Sequence, residues 1–126
     1  MTEAQTALAE LTEISSQVEA AVLFDVSGTI LAATLSDDAA ARVAASARAI
    51  LESAGRLRDG ELTQVEAATA DGSLFVARDG ERGVAAVTGP EPTAGLVFYD
   101  LKSCLRRAAE KPKPKRRPRT KASGTS

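Results

Sequence analysis

The order of apolar and polar positions divides the chain into a series of short elements. Leu8, Leu11 and Val18 recur at helical intervals, and glutamates occupy other positions, so residues 3–17 are predicted to form an amphipathic helix. At residues 19–26 the pattern changes to the continuous apolar run "EAAVLFDV". A run of this kind is typical of a strand that is buried on both faces.

A second strand is predicted at residues 29–35, "TILAATL", which are rich in β-branched and small side chains. Only Ser27 and Gly28 separate it from the first strand. Two residues are enough for a tight hairpin, and glycine readily adopts the positive φ that such a turn needs.

The middle of the chain is predicted to be one long, alanine-rich helix. Ser36 is a suitable N-cap, and the helix should run from Asp37 to about Leu57 before the turn that ends at Gly60. Two neighbouring stripes of small and apolar residues cover a wide face of this helix, which therefore should pack on its own sheet and on a partner helix. The stripes are Val43, Ala47, Ile50, Ala54 and Leu57, and Ala40, Ala44, Ala47, Leu51 and Ala54.

Three strands and a last helix complete the pattern, at residues 61–69, 73–78, 83–88 and 93–110. Asp71-Gly72 and Asp79-Gly80 are strong hairpin signals between the strands. The order αββαβββα predicts an α+β domain with a five-stranded, largely antiparallel sheet flanked by helices. Polar residues in the third strand suit a sheet edge: Gln64, Glu66 and Thr69.

Composition narrows the class of protein. The chain has 126 residues, of which 44% are hydrophobic and only 3% aromatic, so one domain with a thin core is expected. It has no histidine and one cysteine, which argues against an intramolecular disulfide and a cysteine-cluster zinc site. The acidic, helical start does not resemble a signal peptide, and no apolar run approaches the roughly 20 residues of a membrane span. We therefore expect a cytoplasmic protein.

Charge is distributed very unevenly along the chain. Seven of the 16 basic residues lie from Lys111 onward without any acid, which leaves nine basic against 17 acidic residues in the rest. We therefore expect a folded acidic domain at residues 1–110 and a disordered basic tail at residues 111–126. The tail could bind nucleic acid, an anionic membrane surface, an acidic protein or the acidic domain itself, or it could serve only to keep the protein in solution. The basic residues are Lys111, Lys113, Lys115, Arg116, Arg117, Arg119 and Lys121.

The stretch "LFDVSGTIL" (residues 23–31) resembles half of a haloacid-dehalogenase phosphatase signature, in which a strand ends in Asp-x-Asp-Gly-Thr. Here Ser27 replaces the second carboxylate, and no lysine occurs before Lys102. A second strand also follows where such an enzyme builds a catalytic loop. We therefore interpret Asp25 as a strand-end residue beside a hairpin, and we expect no enzymatic activity and no metal. Cys104 lies on an apolar helical stripe, which favours a buried side chain over a reactive thiol.

The complete pattern resembles the roadblock (dynein light-chain roadblock-type) family over about residues 5–109. The similarity is carried by "VEAAVLFDVSGTILAATL", the alanine-rich helix after it, "DGSLFVAR" with "GVAAVT", and "TAGLVFYDLKSCLRR". A glycine near the start of the last helix, here Gly95, is also typical of the family. The basic tail departs from the family core.

The resemblance implies a non-enzymatic dimer in which middle helices meet and sheets join through the third strand. It also implies binding of a small Ras-like GTPase as a regulator or scaffold, with no nucleotide or other cofactor bound by this chain. The alternative is an adaptor that associates with nucleic acid or an anionic membrane through its tail, its domain serving only to dimerise. For GTPase contact, Arg42 and Arg48 are weak candidates. For self-association the candidates are Ala40, Ala44, Ala47, Leu51, Thr63, Val65, Ala67 and Thr69.

Overall fold

A computed structural model describes residues 2–55 and 63–109 of the chain. Two of the predictions fall outside these residues. One is the end of the middle helix near Leu57 together with the first two residues of the third strand, Glu61 and Leu62. The other is the disordered tail at residues 111–126.

Three helices form where the apolar spacing predicted them: α1 at Glu3–Ile14, α2 at Asp37–Gly55 and α3 at Ala94–Ala109. The first helix starts at a capping box, in which the Thr2 hydroxyl accepts a hydrogen bond from the Gln5 backbone and the Gln5 side chain accepts one from Thr2. It ends three residues earlier than predicted, because Ser15 has an extended backbone. The cap satisfies backbone groups that the first turn leaves without partners.

Five strands form one sheet in the order β2-β1-β5-β4-β3, and every neighbouring pair is antiparallel. The strands are β1 at Val18–Asp25, β2 at Ile30–Ala33, β3 at Gln64–Thr69, β4 at Gly72–Asp79 and β5 at Arg82–Thr88. The predicted α+β class and αββαβββα order are confirmed. The third strand lies at one edge of the sheet, and the four-residue β2 lies at the other.

Helices cover both faces of the sheet, which explains why its central strands are continuously apolar. Leu23 faces α1 and α3, whereas its neighbour Phe24 faces α2, because successive strand residues point to opposite sides. Phe75 lies on the α1/α3 side with its ring centroid 5.0 Å from that of Phe98, in an edge-to-face arrangement. Each face therefore has its own core cluster.

One glycine is required by the packing under α2. Gly83 of β5 is directly opposite Phe24 of β1, and a Cβ built on Gly83 would lie 2.6 Å from Cζ of the Phe24 ring. The ring thus occupies the space that any other side chain at this position would need. The Phe24 ring, together with the lack of a side chain at Gly83, forms the part of the sheet surface on which α2 packs.

Candidate interaction surface

The turn between β1 and β2 is a hydrogen-bonded loop. The Asp25 carboxylate accepts a hydrogen bond from the Ser27 amide at 2.9 Å, and the Gly28 amide donates to the Asp25 carbonyl at 2.8 Å. Hydrogen bonds to the carboxylate from the Ser27 amide and from the Ser27 side chain, with a smaller contribution from the positive charge of Arg82, lower the pKa of Asp25. The loop spans residues 26–29, two residues longer than predicted, and Gly28 has a φ of 120°. Asp25 is thus a structural turn residue.

The side chain of Arg48 fastens this turn to α2. Its Nε donates a hydrogen bond to the Val26 carbonyl at 3.0 Å. Its guanidinium lies so close to Gly28 that a Cβ there would be 3.2 Å from Nη1. Arg48, predicted as a weak contact for a protein partner, is therefore engaged within the chain. Arg42, the other weak candidate, is exposed on the same helix.

The four α2 residues predicted to mediate self-association lie in the core of the chain itself. Their exposed fractions are only 2%, 3%, 0% and 6%, because they pack against the sheet. Side chains this deeply buried offer almost no area to a second molecule. Their position indicates that they pack α2 against its own sheet. The residues are Ala40, Ala44, Ala47 and Leu51. The sequence showed two stripes but not which of them faced the sheet.

The outer face of α2 carries a different stripe of small residues, which the sequence analysis did not single out. Ala41, Ala45, Ala49 and Ser53 recur every four residues, and all four are exposed. Half-buried Ile50 lies beside them. The strict four-residue spacing was the available signal, because such residues share one helical face. This outer stripe lets another backbone approach closely.

The edge strand β3 lies on the same side of the molecule as α2. Val65 is opposite Val76 of β4 and is half-buried in the cluster beneath α2, so every second residue from Thr63 faces that side. Thr63, Ala67 and Thr69 of this set are exposed. Because β3 pairs only with β4, the other edge of its backbone has no strand partner among residues 2–55 and 63–109.

The single cysteine is buried. Cys104 of α3 is 3% exposed, and this burial raises the pKa of its thiol to about 11. At neutral pH the side chain is therefore a protonated thiol, which is a weak nucleophile.

Within residues 2–55 and 63–109, no group of three or more metal-ligating side chains could hold an ion. None of the helices in the same ranges is both long and apolar enough to cross a bilayer.

Two contacts fix the C-terminal end of α3. The Arg82 guanidinium donates a hydrogen bond to the Ala108 carbonyl at 2.6 Å, which joins the β4–β5 turn to the last turn of the helix. Arg107 forms an ion pair with Glu10 of α1. Glu10 lies opposite Arg107 near the end of α3, and the Gln17 side chain, just after α1, accepts a hydrogen bond from the Thr93 amide just before α3, so the two helices run antiparallel.

Among the described residues, a five-stranded antiparallel sheet carries one helix on one face and two on the other, which defines a small α+β domain. A model of the Roadblock/LC7 domain matches residues 4–88, and the chain belongs to that family. No curated protein sequence matches the chain.

Solved structures agree with the family assignment at the level of the fold. A Roadblock/LC7 domain from Streptomyces avermitilis is 23% identical, with a TM-score of 0.73, over 81% of this chain and 91% of that one. MglB from Myxococcus xanthus is 18% identical, with a TM-score of 0.68, over 85% and 92% of the two chains. A structure of MglB with a tetrameric arrangement is 20% identical, with a TM-score of 0.63, over 82% and 83%.

Proposed function

We propose that this protein is a non-enzymatic, homodimeric regulator or scaffold for a small Ras-like GTPase. The observation that carries the proposal is the coincidence of the outer α2 stripe and the open β3 edge on one side of the sheet. The GTPase class comes from the family to which the chain belongs.

In the proposed dimer, two copies of α2 meet along Ala41, Ala45 and Ala49, and two β3 strands pair across the symmetry axis. Small side chains permit close helix approach, while the pairing of β3 with its symmetry mate satisfies the open edge. In a two-fold symmetric interface both subunits contribute the same residues, so a single substitution acts twice. Self-association of a relative, as in the tetrameric arrangement of MglB, supports this proposal.

The proposed GTPase site is the outer surface that the paired middle helices form together. Arg42 is exposed there, whereas Arg48 is occupied with the Val26 carbonyl. We therefore propose that the protein acts by positioning GTPase loops, and that an arginine donated to the nucleotide is not required. Arg42→Ala should weaken GTPase binding, but it should not abolish any effect on hydrolysis.

Ala45→Glu tests the dimer. Two carboxylates forced together at the symmetry axis should convert the dimer to a monomer in analytical ultracentrifugation, with an unchanged far-UV circular dichroism spectrum. Ala9→Glu is the matched control, because Ala9 is an exposed helical alanine on α1. A dimer that survives Ala45→Glu, or that Ala9→Glu disrupts equally, contradicts the proposed interface.

Binding and GTP turnover test the partner. A Ras-like GTPase encoded next to this gene, loaded with GDP or a GTP analogue, should be retained by the immobilised full chain, and less by Ala45→Glu. Nucleotide release and single-turnover hydrolysis then distinguish a regulator from a scaffold. If no Ras-like GTPase of the same genome binds the intact dimer, the proposal is wrong.

A second candidate function rests on the seven basic residues after Glu110. A segment of this charge supports an adaptor that attaches to nucleic acid or to an anionic membrane. Full chains with Lys111, Lys113 and Lys115 changed to glutamate should then lose binding to DNA or to phosphatidylserine vesicles while they still dimerise. Unchanged binding by that variant refutes this second function.

A further inference from the structure

The groove between α1 and α3 is an unusual apolar surface for this small domain. It has a volume of about 150 Å³, and its walls include Ala7 and Ile14 from α1 and Tyr99 from α3. Among the described residues, three large apolar side chains are strongly exposed, and all belong to these two helices: Ile14 at 61%, Tyr99 at 67% and Leu96 at 52%. The groove lies on the face of the sheet opposite α2.

The rim of the groove is acidic. Glu10 lines the α1 side of the groove together with the apolar Ala7 and Ile14. Asp100 contributes a second carboxylate from α3. Arg107 pairs with Glu10 and offsets one of these charges. An occupant of the groove should therefore combine apolar rings with positive charge.

We propose that the chain's own basic tail, residues 111–126, folds back and docks in this α1/α3 groove. Its prolines at 112, 114 and 118 alternate with lysines and arginines. Proline-rich segments bind aromatic-lined grooves with little entropy cost, because the polyproline II conformation is already restricted. The proline rings of the tail would cover Tyr99 and Ile14, and its lysines would lie over the carboxylates of Glu10 and Asp100.

The tail starts at the correct place and is long enough. It leaves the chain just after Ala109, the last residue of α3, and Tyr99 lies ten residues earlier on the same helix. That distance is about 15 Å at the helical rise of 1.5 Å per residue. Sixteen residues in a polyproline II conformation span about 50 Å, three times what is needed.

Charge favours this occupant over two others. A second copy of the same groove would bring carboxylates against carboxylates, which is unfavourable. An acidic protein or a nucleic acid would be repelled by the rim for the same reason. The tail carries seven positive charges and no negative charge, while the rest of the chain has an excess of eight negative charges. Intramolecular attachment also gives the tail a high effective concentration at the groove.

Tyrosine fluorescence of the full chain provides a direct test. The protein has one tyrosine and no tryptophan, so its emission reports on Tyr99 alone. We compare acrylamide quenching in the wild-type chain with that in a full-length variant carrying K111E, K113E and K115E. At low salt the wild-type quenching constant should be roughly twofold smaller, because a docked segment covers one face of the ring. At about 1 M salt, where the Debye length is near 3 Å, the two constants should converge.

Matched substitutions on the folded part locate the contact. Asp100→Asn removes a carboxylate at the groove and should raise the wild-type quenching constant toward that of the tail variant. Glu66→Gln removes an exposed carboxylate on the edge strand β3, and it should change nothing. Equal quenching of the wild-type and tail-variant chains at low salt overturns the proposal. The proposal is also overturned if protection of Tyr99 from acrylamide increases with protein concentration, because the docked tail would then come from another copy of the chain.

Carbodiimide cross-linking gives an independent readout of the same contact. Lysines 111–115 should link to Glu10 or Asp100 within one chain, as identified by mass spectrometry of the monomer band. Links mainly to Asp25, Asp79 or Glu81 at the turns of the sheet would overturn the proposed location. Since dimerisation is measured separately by ultracentrifugation, failure of this inference leaves the proposed GTPase function untouched.

Discussion

Gly83→Ala is expected to destabilise the domain, although it is a small change in a strand. The added Cβ would lie 2.6 Å from Cζ, 2.9 Å from Cε2 and 3.3 Å from Cε1 of the Phe24 ring. Carbon atoms prefer separations of about 3.5–4.0 Å, so the ring must move by roughly 1 Å. Phe24 is completely buried, and the small residues of α2 lie in the same cluster. The ring cannot move without disturbing the packing of α2 on the sheet.

The size of the effect follows from two opposing terms. Overpacking a well-packed core costs about 1–3 kcal/mol. Alanine loses less backbone entropy on folding than glycine does, which returns about 0.5–1 kcal/mol. We therefore expect Gly83→Ala to lower the free energy of unfolding by about 1–2 kcal/mol. With a urea m-value of about 1–3 kcal/mol/M, the unfolding midpoint should fall by roughly 0.5–1 M.

Urea unfolding followed by circular dichroism measures this change. Gly95→Ala is the matched control, because a Cβ on Gly95 in the first turn of α3 meets nothing within 4 Å. It should leave the midpoint unchanged or raise it. Phe24→Leu should cost less in the Gly83→Ala background than alone, with a coupling energy of about 0.5 kcal/mol or more. A Gly83→Ala protein as stable as wild type, with no coupling to Phe24, would refute the packing argument.

Three more predictions concern α2 and α3. Ala44→Glu should lower the free energy of unfolding, measured in urea, by about 3–5 kcal/mol, because it buries an unpaired carboxylate in an apolar cluster. A variant as stable as the wild type would show that Ala44 does not face the sheet. Arg48→Ala should lower the free energy of unfolding by about 1 kcal/mol and speed hydrogen exchange of the Gly28 amide, since the hydrogen bond to the Val26 carbonyl is lost. An unchanged exchange rate would contradict the proposed role of Arg48 in holding the turn against α2. The pKa of Cys104 is raised in the folded state from 9.0 to about 11, so burial of the neutral thiol stabilises the fold fully below pH 9. This contribution, about 3 kcal/mol, should disappear as the pH rises from 9 to 11, whereas Cys104→Ala should lack that part of the pH dependence.

The sequence predicted the elements well because their signals are local. The apolar run before Asp25 and the Gly28 turn were sufficient for the first hairpin, and Asp-Gly pairs were sufficient for the next two. Strand order was not predicted, since pairing of β5 with β1 joins residues about 60 positions apart and leaves no local pattern. The extra length of the first turn also escaped, because it depends on the Arg48 side chain from another element.

The surfaces were harder to predict than the elements. Ala44 and Ala45 are adjacent and identical, yet one is buried and the other exposed, and only the position of the sheet distinguishes them. Apolar periodicity likewise could not show that Ile14 of α1 and Tyr99 of α3 are both exposed and line the same groove. A surface is defined by what neighbouring elements leave uncovered, so it emerges only when the elements are assembled.

The hydrogen bond from Arg82 to the Ala108 carbonyl has a mechanical consequence. Any partner that pulls on the tail applies tension at the end of α3, where an unsupported helix would unravel turn by turn. Here the last turn is fastened to the β4–β5 hairpin, whose strands lie in the middle of the sheet. Tension on the end of α3 is therefore shared with the middle of the sheet, and the Arg82 hydrogen bond opposes unwinding of the last turn.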